Sequence, residues 1–334
     1  AQRSVVKLVI QIPCLNEEAT LPGTIADLPR AIPGIDRIEL LVVDDGSRDR
    51  TSEVARAHGA HRVLRFPARR GLARAFDAGL REALAMGADV IVNTDADNQY
   101  VGADIALLVQ PILEGRAEMV VGARPIDRID HFSPLKKALQ KLGSRVVRRL
   151  ASADVPDATS GFRAYSREAA LRLTVLTNFT YTLETLIQAS QKDISITHVP
   201  IRTNPKLRES RLFTGTGAYV QRSLGTMFRV AVMYQPLRFF AWLSAGFLIA
   251  SFALSVRWVV IYLVTRPQPT GHVQSLLVAG VLAVIGMLLG ALGVLADLSA
   301  MNRRLLEEIV VNTRLLRLAG GRARDEGRGP GAGS

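Results

Sequence analysis

Two long apolar segments constrain the fold of this chain more than any other feature. Residues 239–264 contain one charged residue, Arg257, and residues 273–296 contain none. A helix needs about 20 apolar residues to cross the hydrocarbon core of a bilayer, so each segment is long enough to span a membrane. Because only eight residues separate the two segments, they predict a transmembrane hairpin rather than two buried helices of a soluble core.

The distribution of basic residues predicts the orientation of this hairpin. The connecting residues 265–272 hold one arginine, whereas residues 302–328 hold seven. By the positive-inside rule we expect a multi-pass protein of the cytoplasmic (inner) membrane, with the preceding domain and both termini in the cytoplasm. The formal net charge of +12 also invites a nucleic-acid interpretation. We expect no nucleic-acid partner, because cytoplasmic arginines that face anionic lipid give a membrane protein the same positive net charge. The sequence also has no basic strand with interleaved aromatic residues of the kind that binds nucleic acid.

The residues before the hairpin alternate between apolar runs and helical patterns. The predicted strands cover residues 5–13, 38–45, 61–67, 88–97 and 117–124. Such alternation predicts an α/β domain with a Rossmann-like, mostly parallel sheet and helices on both faces. Neither a G-x-G-x-x-G pattern after the first strand nor a P-loop pattern is present, so a dinucleotide-binding domain and a P-loop enzyme both lose support.

Composition divides the chain further. We expect a domain over 1–215, an interfacial helix over 216–235, the hairpin over 236–298, a basic amphipathic helix over 299–319 and a disordered tail over 320–334. The helix at 299–319 can pack against a second copy, which would make a homo-oligomer. A further basic amphipathic pattern at 132–151 fits either a helix lying on anionic lipid or a helix packed on the sheet with a solvated basic face.

Polar side chains gather where the predicted strands end. Asn16-Glu17, Asp44-Asp45, Asp95 with Asp97, and Arg124 all follow strands, and in open α/β sheets ligands bind at the carboxyl ends of the strands. Asp95, Asp97 and Gln99 offer three hard oxygen donors that suit Mg²⁺ or Mn²⁺. For Asp44-Asp45, an acid-rich turn that caps the next helix is an alternative to ligand binding.

Six short motifs together resemble a known family. They are I-P-C-L-N-E-E (12–18), V-V-D-D-G-S (42–47), D-A-D-N-Q (95–99), G-A-R (122–124), D-A-T-S-G-F-R (157–163) and R-E-S-R-L (208–212). Their order is that of family 2 glycosyltransferases of GT-A fold, and the chain most resembles the polyprenyl-phosphate (dolichol-phosphate) glycosyltransferases. The likeness covers roughly 5–215, and the hairpin with its basic helix resembles members that have two spans.

The resemblance implies a donor site in the nucleotide-binding half, about 5–125. The residues that would line the nucleotide-sugar pocket are Pro13, Leu15, Glu17, Val43, Asp45, Asp95, Ala96, Asp97, Gln99 and Arg124. Of these, Asp95, Asp97 and Gln99 would hold the metal and the diphosphate. Arg124 would reach the diphosphate or the sugar. The nucleotide-sugar itself, UDP- or GDP-hexose, stays open at this point.

The acceptor half, about 126–215, would bind the phosphate of a polyprenyl (undecaprenyl or dolichyl) phosphate. The residues expected there are Arg163, Arg202, Lys206, Arg208, Ser210 and Arg211. Asp157 would act either as a base or as the residue that orients an arginine, and the predicted catalytic set is Asp97, Asp157, Arg163, Arg208 and Arg211. The chain departs from the family pattern at Arg211, where lysine is frequent, and at Tyr100-Val101, where a proline pair is frequent.

A phosphate acceptor changes what catalysis requires. A phosphate monoester is already ionised at neutral pH, so it needs screening by cations more than it needs a general base. A metal would stabilise the departing diphosphate, and a single displacement would invert the anomeric centre. Two alternatives remain: a polysaccharide synthase of the same family, which would normally have more spans, and a non-catalytic membrane scaffold.

Overall fold

The computed structural model describes residues 5–125, 155–175, 181–204, 236–264 and 273–326. The chain divides into two compact units, Ala1–Ser223 with Val310–Ser334, and Leu224–Ile309. The described part of the first unit contains a seven-stranded sheet with helices, and that of the second contains two apolar helices. The helices predicted at 132–151 and 216–235 lie outside the described residues.

Seven short strands build the sheet of the first unit. They are β1 (Lys7–Cys14), β2 (Arg37–Asp44), β3 (Arg62–Arg65), β4 (Val90–Asn93), β5 (Met119–Ala123), β6 (Arg163–Ser166) and β7 (Ile196–Pro200). Their order across the sheet is β3-β2-β1-β4-β6-β5-β7. Neighbouring strands run parallel except at β6, which is antiparallel to both β4 and β5.

Helices connect the strands and cover the sheet. They are α1 (Leu21–Asp27), α2 (Thr51–Ala57), α3 (Leu72–Ala85), a short 3₁₀ helix (Gly102–Asp104), α4 (Ile105–Leu113), α5 (Arg167–Arg172) and α6 (Tyr181–Gln191). Helix α3 shows the amphipathic pattern clearly, because Phe76, Leu80 and Leu84 recur at helical spacing and are buried. These side chains lie on the face that packs against β1 and β2.

The predicted α/β fold with a mostly parallel sheet is confirmed. Each of the five predicted strands is present, although the strand predicted over 88–97 is only Val90–Asn93. Strands β6 and β7 were not predicted. Residues Arg163–Ser166 read R-A-Y-S, which has neither an apolar run nor an apolar alternation, so β6 is a strand only because β4 and β5 pair with it.

The core lies on both faces of the central strands. Strand β1 is buried from Leu8 to Cys14, as expected for a strand covered by helices on both sides. On one face, Leu8, Ile10 and Ile12 pack in the same cluster as Ile105 and other residues of α4. This packing anchors the central strands and therefore determines where their carboxyl ends lie.

Strand register brings the loops of the predicted site to one edge of the sheet. Cys14 is opposite Asp44, and Asn93 is opposite Gln11, so β1, β2 and β4 all end at this edge. Antiparallel β6 begins there, with Arg163 opposite Asn93. Strands β5 and β7 also end there. The turns after 14, 44, 93, 123 and 200 therefore share an edge with the loop at 157–162.

The second unit contains two helices, α7 (Pro236–Val264) and α8 (Val273–Glu326). Pro236–Val264 and Val273–Asn302 are long and apolar enough to cross a membrane, and most of each segment is exposed. Helix α8 continues without a break to Glu326, so the boundaries expected at 299 and 320 are absent and residues 320–326 are helical. The expected disordered tail is wrong for those residues, and 327–334 lie outside the described part.

Small and hydroxylated residues bring α7 and α8 together. Ser244 Oγ donates to the carbonyl of Gly286, and Ser251 Oγ donates to that of Ala279, each at 2.7 Å. A Cβ on Gly286 would lie 2.8 Å from Leu248 Cγ, so the backbone approaches this side chain closely. Such small-residue contacts and interhelical hydrogen bonds are typical of helix pairs in membranes.

We predict that Gly286→Leu destabilises this helix pair by about 1–3 kcal/mol, because the new side chain must displace Leu248. Gly280→Leu is the matched control, since a Cβ at Gly280 meets no heavy atom within 4 Å. The measurement is the melting temperature of the full chain in detergent. Equal melting temperatures for the two variants would contradict the packing of Gly286 on α7.

Candidate active site

The Asp95–Asp97 pair lies in a turn rather than on a strand. Strand β4 ends at Asn93, and residues 96–97 turn, followed by Asn98 in a left-handed conformation with φ of 54°. The carbonyl of Ala96 accepts a hydrogen bond from Thr24 Oγ1 at 2.9 Å, which ties the turn to α1. The turn therefore presents two carboxylates from a segment that the rest of the domain supports.

Burial and mutual repulsion make Asp95 unusual among the acids of the site. Burial, and then the charge of Asp97, raise the pKa of Asp95 to about 6, although the charge of Arg124 opposes the rise. A Cβ on Gly161 would lie 3.0 Å from Asp95 Oδ1, so this glycine leaves room for the carboxylate. Two acids held this close are a favourable place for a cation.

The donor atoms of this turn fit a hard divalent cation. Within the described residues, no group of three or more His, Cys, Asp and Glu side chains can hold a metal ion. Two carboxylates with phosphate and water oxygens still complete the coordination that Mg²⁺ commonly takes. The structure gives Gln99 another role than the predicted ligand: its Nε2 donates to Asp97 Oδ2 at 2.8 Å. Gln99 thus orients Asp97 in this structure, and its place among the metal ligands stays a prediction.

The two acids of the D-D-G-S motif have different partners. Asp44 is fully buried and accepts from Ser47 N at 2.7 Å and from the Ser52 hydroxyl, so it stabilises the turn into α2. Asp45 accepts from the backbone N–H groups of Arg70 and Gly71, at 2.6 and 2.9 Å. Asp45 therefore holds the loop before α3 against the end of β2.

The other predicted nucleotide residues lie around the same edge. Pro13 is buried and Val43 has no exposed surface, so neither fits the predicted contact with a nucleotide; both instead support the strand ends. Leu15 and Glu17 are half-buried in the turn after β1. The backbone N–H of Glu17 donates to Thr51 Oγ1 at 2.9 Å, and this bond locks the turn to α2.

An ion pair joins β5 to the loop before β6. Arg124 Nε donates to Asp157 Oδ2 at 2.6 Å, and its NH2 group donates to Asp157 Oδ1 and Thr159 Oγ1, each at 3.1 Å. Burial alone would raise the pKa of Asp157, but the charge and hydrogen bonds of Arg124 outweigh it and lower this pKa. An ionised carboxylate whose two oxygens both accept from a guanidinium is better suited to orienting Arg124 than to acting as a general base.

Arg163 does not fit its predicted contact with an acceptor phosphate. The residue is 0% exposed. Its guanidinium donates to the carbonyls of Ala158, Ser160 and Thr182 at 2.7–2.8 Å, and to Thr185 Oγ1 at 3.0 Å. We correct its role accordingly: Arg163 holds the loop at 157–162 from inside the domain.

Of the remaining predicted acceptor residues, the structure describes Arg202 alone. It follows β7 and pairs with buried Asp104, its NH2 group lying 2.6 Å from Asp104 Oδ1, while 69% of its side chain stays exposed. In this structure Arg202 therefore stabilises buried Asp104, and most of its side chain is still exposed to solvent. The other acceptor residues, Lys206, Arg208, Ser210 and Arg211, lie outside the described residues.

Several residues of the site were not predicted from their motifs. Asn93 Oδ1 accepts from Gln11 Nε2 at 2.9 Å, and its Nδ2 donates to the carbonyl of Gly161 at 2.8 Å. Tyr100 is buried, and its hydroxyl accepts from Gly161 N at 3.3 Å. The signal available was the polar Gln11 and Asn93 within otherwise apolar strands, which indicates a buried hydrogen-bonded pair.

We predict that Arg163→Met lowers the stability of the protein by at least about 3 kcal/mol, because several buried carbonyls lose their donor. The matched control is Arg172→Met, since Arg172 is a partly exposed arginine whose NH1 lies 3.7 Å from Glu118. The melting temperature of the full chain in detergent measures both. A wild-type melting temperature for Arg163→Met would refute the corrected role.

A mostly parallel sheet with two acids and an arginine at the carboxyl ends of its strands defines an open α/β protein with a candidate ligand site at that edge. Comparison with known proteins agrees with this class. The family model described as Glycosyl transferase family 2 matches residues 9–174. The chain belongs to this family and is a glycosyltransferase.

Two relatives and one solved structure illustrate the likeness. The UDP-N-acetylglucosamine–dolichyl-phosphate N-acetylglucosaminyltransferase of Methanococcus voltae is 32% identical over 58% of this chain and 83% of the relative. The dolichyl-phosphate hexose transferase of Haloferax volcanii is 32% identical over 65% of this chain and 92% of the relative. Glucosyl-3-phosphoglycerate synthase from Mycobacterium tuberculosis, in complex with Mn²⁺, UDP and glucosyl-3-phosphoglycerate, superposes with a TM-score of 0.51. That structure is 23% identical, over 69% of this chain and 78% of the other, and it shows the GT-A fold.

Proposed function

We propose that this glycosyltransferase moves a hexosyl group from a nucleotide sugar, UDP- or GDP-hexose, to a polyprenyl phosphate such as undecaprenyl or dolichyl phosphate. The observation that carries the proposal is the meeting of the Asp95–Asp97 turn with the Arg124–Asp157 pair at one edge of the sheet. The names of the Methanococcus voltae and Haloferax volcanii relatives specify a dolichyl phosphate acceptor, which supports the same acceptor class here.

The donor diphosphate would bind at the turn after β4. Asp95 and Asp97 would hold Mg²⁺ or Mn²⁺, with Gln99 orienting Asp97 through its side-chain nitrogen. A bound divalent cation would neutralise the two carboxylates and stabilise the negative charge of the departing diphosphate. Asp45 and the loop it holds at Arg70 and Gly71 would border the nucleoside.

The acceptor phosphate would approach from the side of Arg124. Arg124 has its orientation fixed by Asp157 and Thr159, and 18% of its side chain remains exposed, so it can screen the negative charge between the acceptor and the donor. A phosphate oxygen attacks without losing a proton, which removes the need for a base. We include Lys206, Arg208, Ser210 and Arg211 as acceptor residues on the strength of their motif alone.

The membrane position follows from the same proposal. Helix α7 and the first part of α8 would span the bilayer, with the active site and both termini on the cytoplasmic side, because the basic residues gather beyond the ends of the hairpin rather than in its connection. A polyprenyl phosphate places its phosphate at the headgroup level, so an enzyme held at that surface can reach it. A second copy can pack through α8 to form a homo-oligomer.

The test is to incubate the full chain with Mn²⁺ or Mg²⁺, undecaprenyl or dolichyl phosphate, and a panel of UDP- and GDP-sugars. We expect one donor to yield a lipid phosphate sugar, and Asp97→Ala to lower kcat by on the order of 100-fold or more, because transition-state charge is left unbalanced. Mass spectrometry of the lipid fraction detects the product.

Asp193→Asn is the control for this experiment. Asp193 is an exposed acid just before β7, at the opposite edge of the sheet, and its substitution should leave kcat unchanged. If folded wild-type protein forms no product with any donor, the transferase proposal fails. A polymer instead of a single lipid-linked sugar would favour the polysaccharide synthase alternative.

The stereochemistry of the product tests the mechanism separately. A single displacement by the acceptor phosphate inverts the anomeric carbon, so an α-linked nucleotide sugar should give a β-linked lipid phosphate sugar. NMR of the purified product, through the coupling at the anomeric carbon, distinguishes the two. Retained configuration would rule out a single displacement while leaving the donor and acceptor assignments intact.

A further inference from the structure

The residues that follow β7 lie beside the turn that carries Asp97. Ile201 is buried, and its backbone N–H donates to the carbonyl of Ala123 at 3.1 Å, so this segment begins fixed to the end of β5. Further along, Thr203 forms an antiparallel β-bridge with Tyr100. The segment is thus attached to the sheet at its start and to the residues just after the turn at its end.

Asn204 makes two hydrogen bonds to the turn itself. Its backbone N–H donates to the carbonyl of Gln99 at 2.8 Å. Its side chain donates through Nδ2 to the carbonyl of Asn98 at 3.1 Å. Because Asn204 is 106 positions away from Asn98 in the sequence, no motif connects the two residues, and Asn204 had no predicted role.

The carbonyls that Asn204 contacts belong to the residues that orient Asp97. Gln99 donates to both oxygens of this carboxylate, from its backbone N–H to Oδ1 at 3.2 Å and from Nε2 to Oδ2 at 2.8 Å. Asn98 lies between the two residues and has a left-handed backbone with φ of 54°. Such a conformation persists only where surrounding contacts support it, and Asn204 supplies one of these contacts at the Asn98 carbonyl.

One planar peptide unit transmits the effect of this contact. The carbonyl that accepts from Asn204 Nδ2 and the N–H that donates to Asp97 Oδ1 belong to the same peptide bond, between Asn98 and Gln99. Because a peptide unit is planar and rigid, fixing the direction of its carbonyl also fixes the direction of its N–H. The amide of Asn204 therefore determines how this N–H points at the Asp97 carboxylate.

We propose that Asn204 is a positioning residue, which holds the backbone of the turn at 97–99 so that Asp97 keeps its orientation for the divalent cation. The inference rests on the proposed function, because it takes Asp97 as a ligand of that cation. Ligands bind a metal well when their own hydrogen-bond partners fix them beforehand. Asn204 acts one step further out, through Asn98 and Gln99 rather than on the carboxylate itself.

Asn204→Leu removes the amide while keeping a side chain of similar size and shape. The backbone bond to Gln99 remains in this variant, whereas the side-chain bond to Asn98 is lost. Asn204→Ala is a second variant with no new apolar bulk. The matched control is Thr203→Ala, because the Thr203 side chain is exposed and its bridge to Tyr100 is made by the backbone. Melting temperatures of the full chain in detergent verify that the variants fold.

The first readout needs no metal. Hydrogen–deuterium exchange of the metal-free chain, followed by mass spectrometry of peptides that cover 95–101, measures how firmly the turn is held. We expect these peptides to exchange roughly 3- to 10-fold faster in both Asn204 variants, as for the loss of one hydrogen bond. The Gln99 N–H is then less well oriented towards Asp97. Thr203→Ala should exchange like the wild type.

The second readout is Mn²⁺ binding followed by electron paramagnetic resonance, in separate titrations with UDP and with GDP. We expect both Asn204 variants to bind Mn²⁺ more weakly by a similar factor, roughly 3- to 10-fold, because the cation must restore the order that the lost bond supplied. Thr203→Ala should keep the wild-type affinity. A contact that serves stability alone would lower the melting temperature without changing this affinity.

The outcomes separate this inference from the proposed function. If Asp97→Ala abolishes Mn²⁺ binding while both Asn204 variants retain wild-type affinity, the positioning role is overturned and the metal site stands, whatever the exchange rates are. If the folded wild-type chain binds no Mn²⁺ with either nucleotide, the metal site of the proposed function fails, and the role of Asn204 fails with it. Faster exchange together with weaker Mn²⁺ binding in the Asn204 variants, with Thr203→Ala unchanged, supports the inference.

Discussion

The buried guanidinium of Arg163 is the contact on which the geometry of the site depends. A cation without solvent is stable only when its N–H groups have partners, and those partners here are carbonyls of the loop at 157–162 and of α6. The loop therefore has little freedom to move away from the sheet. Asp157 and Gly161 are carried by this loop, so the orientation of Arg124 and the space around Asp95 both follow from one buried side chain.

Charge is distributed across the site in two groups. Asp95 and Asp97 repel each other at the end of β4, which favours a cation there, whereas Asp157 is neutralised by Arg124. Arg124 can thus face an anionic ligand, while Asp157, which is paired with it, does not compete with Asp95 and Asp97 for a cation. In the proposed function this separation matters, because the nucleotide-sugar donor and the lipid phosphate acceptor both carry negative charge.

Sequence patterns predicted the sheet better than they predicted the contacts of the site. Apolar runs placed β1, β2 and β4, and their carboxyl ends identified the edge where Asp45, Asp95 and Asp97 lie. Strand β6 was not predicted, because its residues have no strand pattern of their own and it forms only by pairing with β4 and β5. Arg163 was taken as a ligand residue because a motif shows the type of a side chain, and not whether the side chain is buried.

The sequence by itself determined the two apolar helices, the alternation of strands and helices, and the ordered motifs that indicate the family, because each depends on residues close together in the chain. Tertiary structure alone decided the partners of these motifs. The bond from Gly161 to Tyr100 joins residues 61 positions apart, and that from Arg202 to Asp104 joins residues 98 apart. Such contacts arise from strand order and register, so local patterns do not encode which backbone N–H reaches the Tyr100 hydroxyl or which carbonyls surround Arg163.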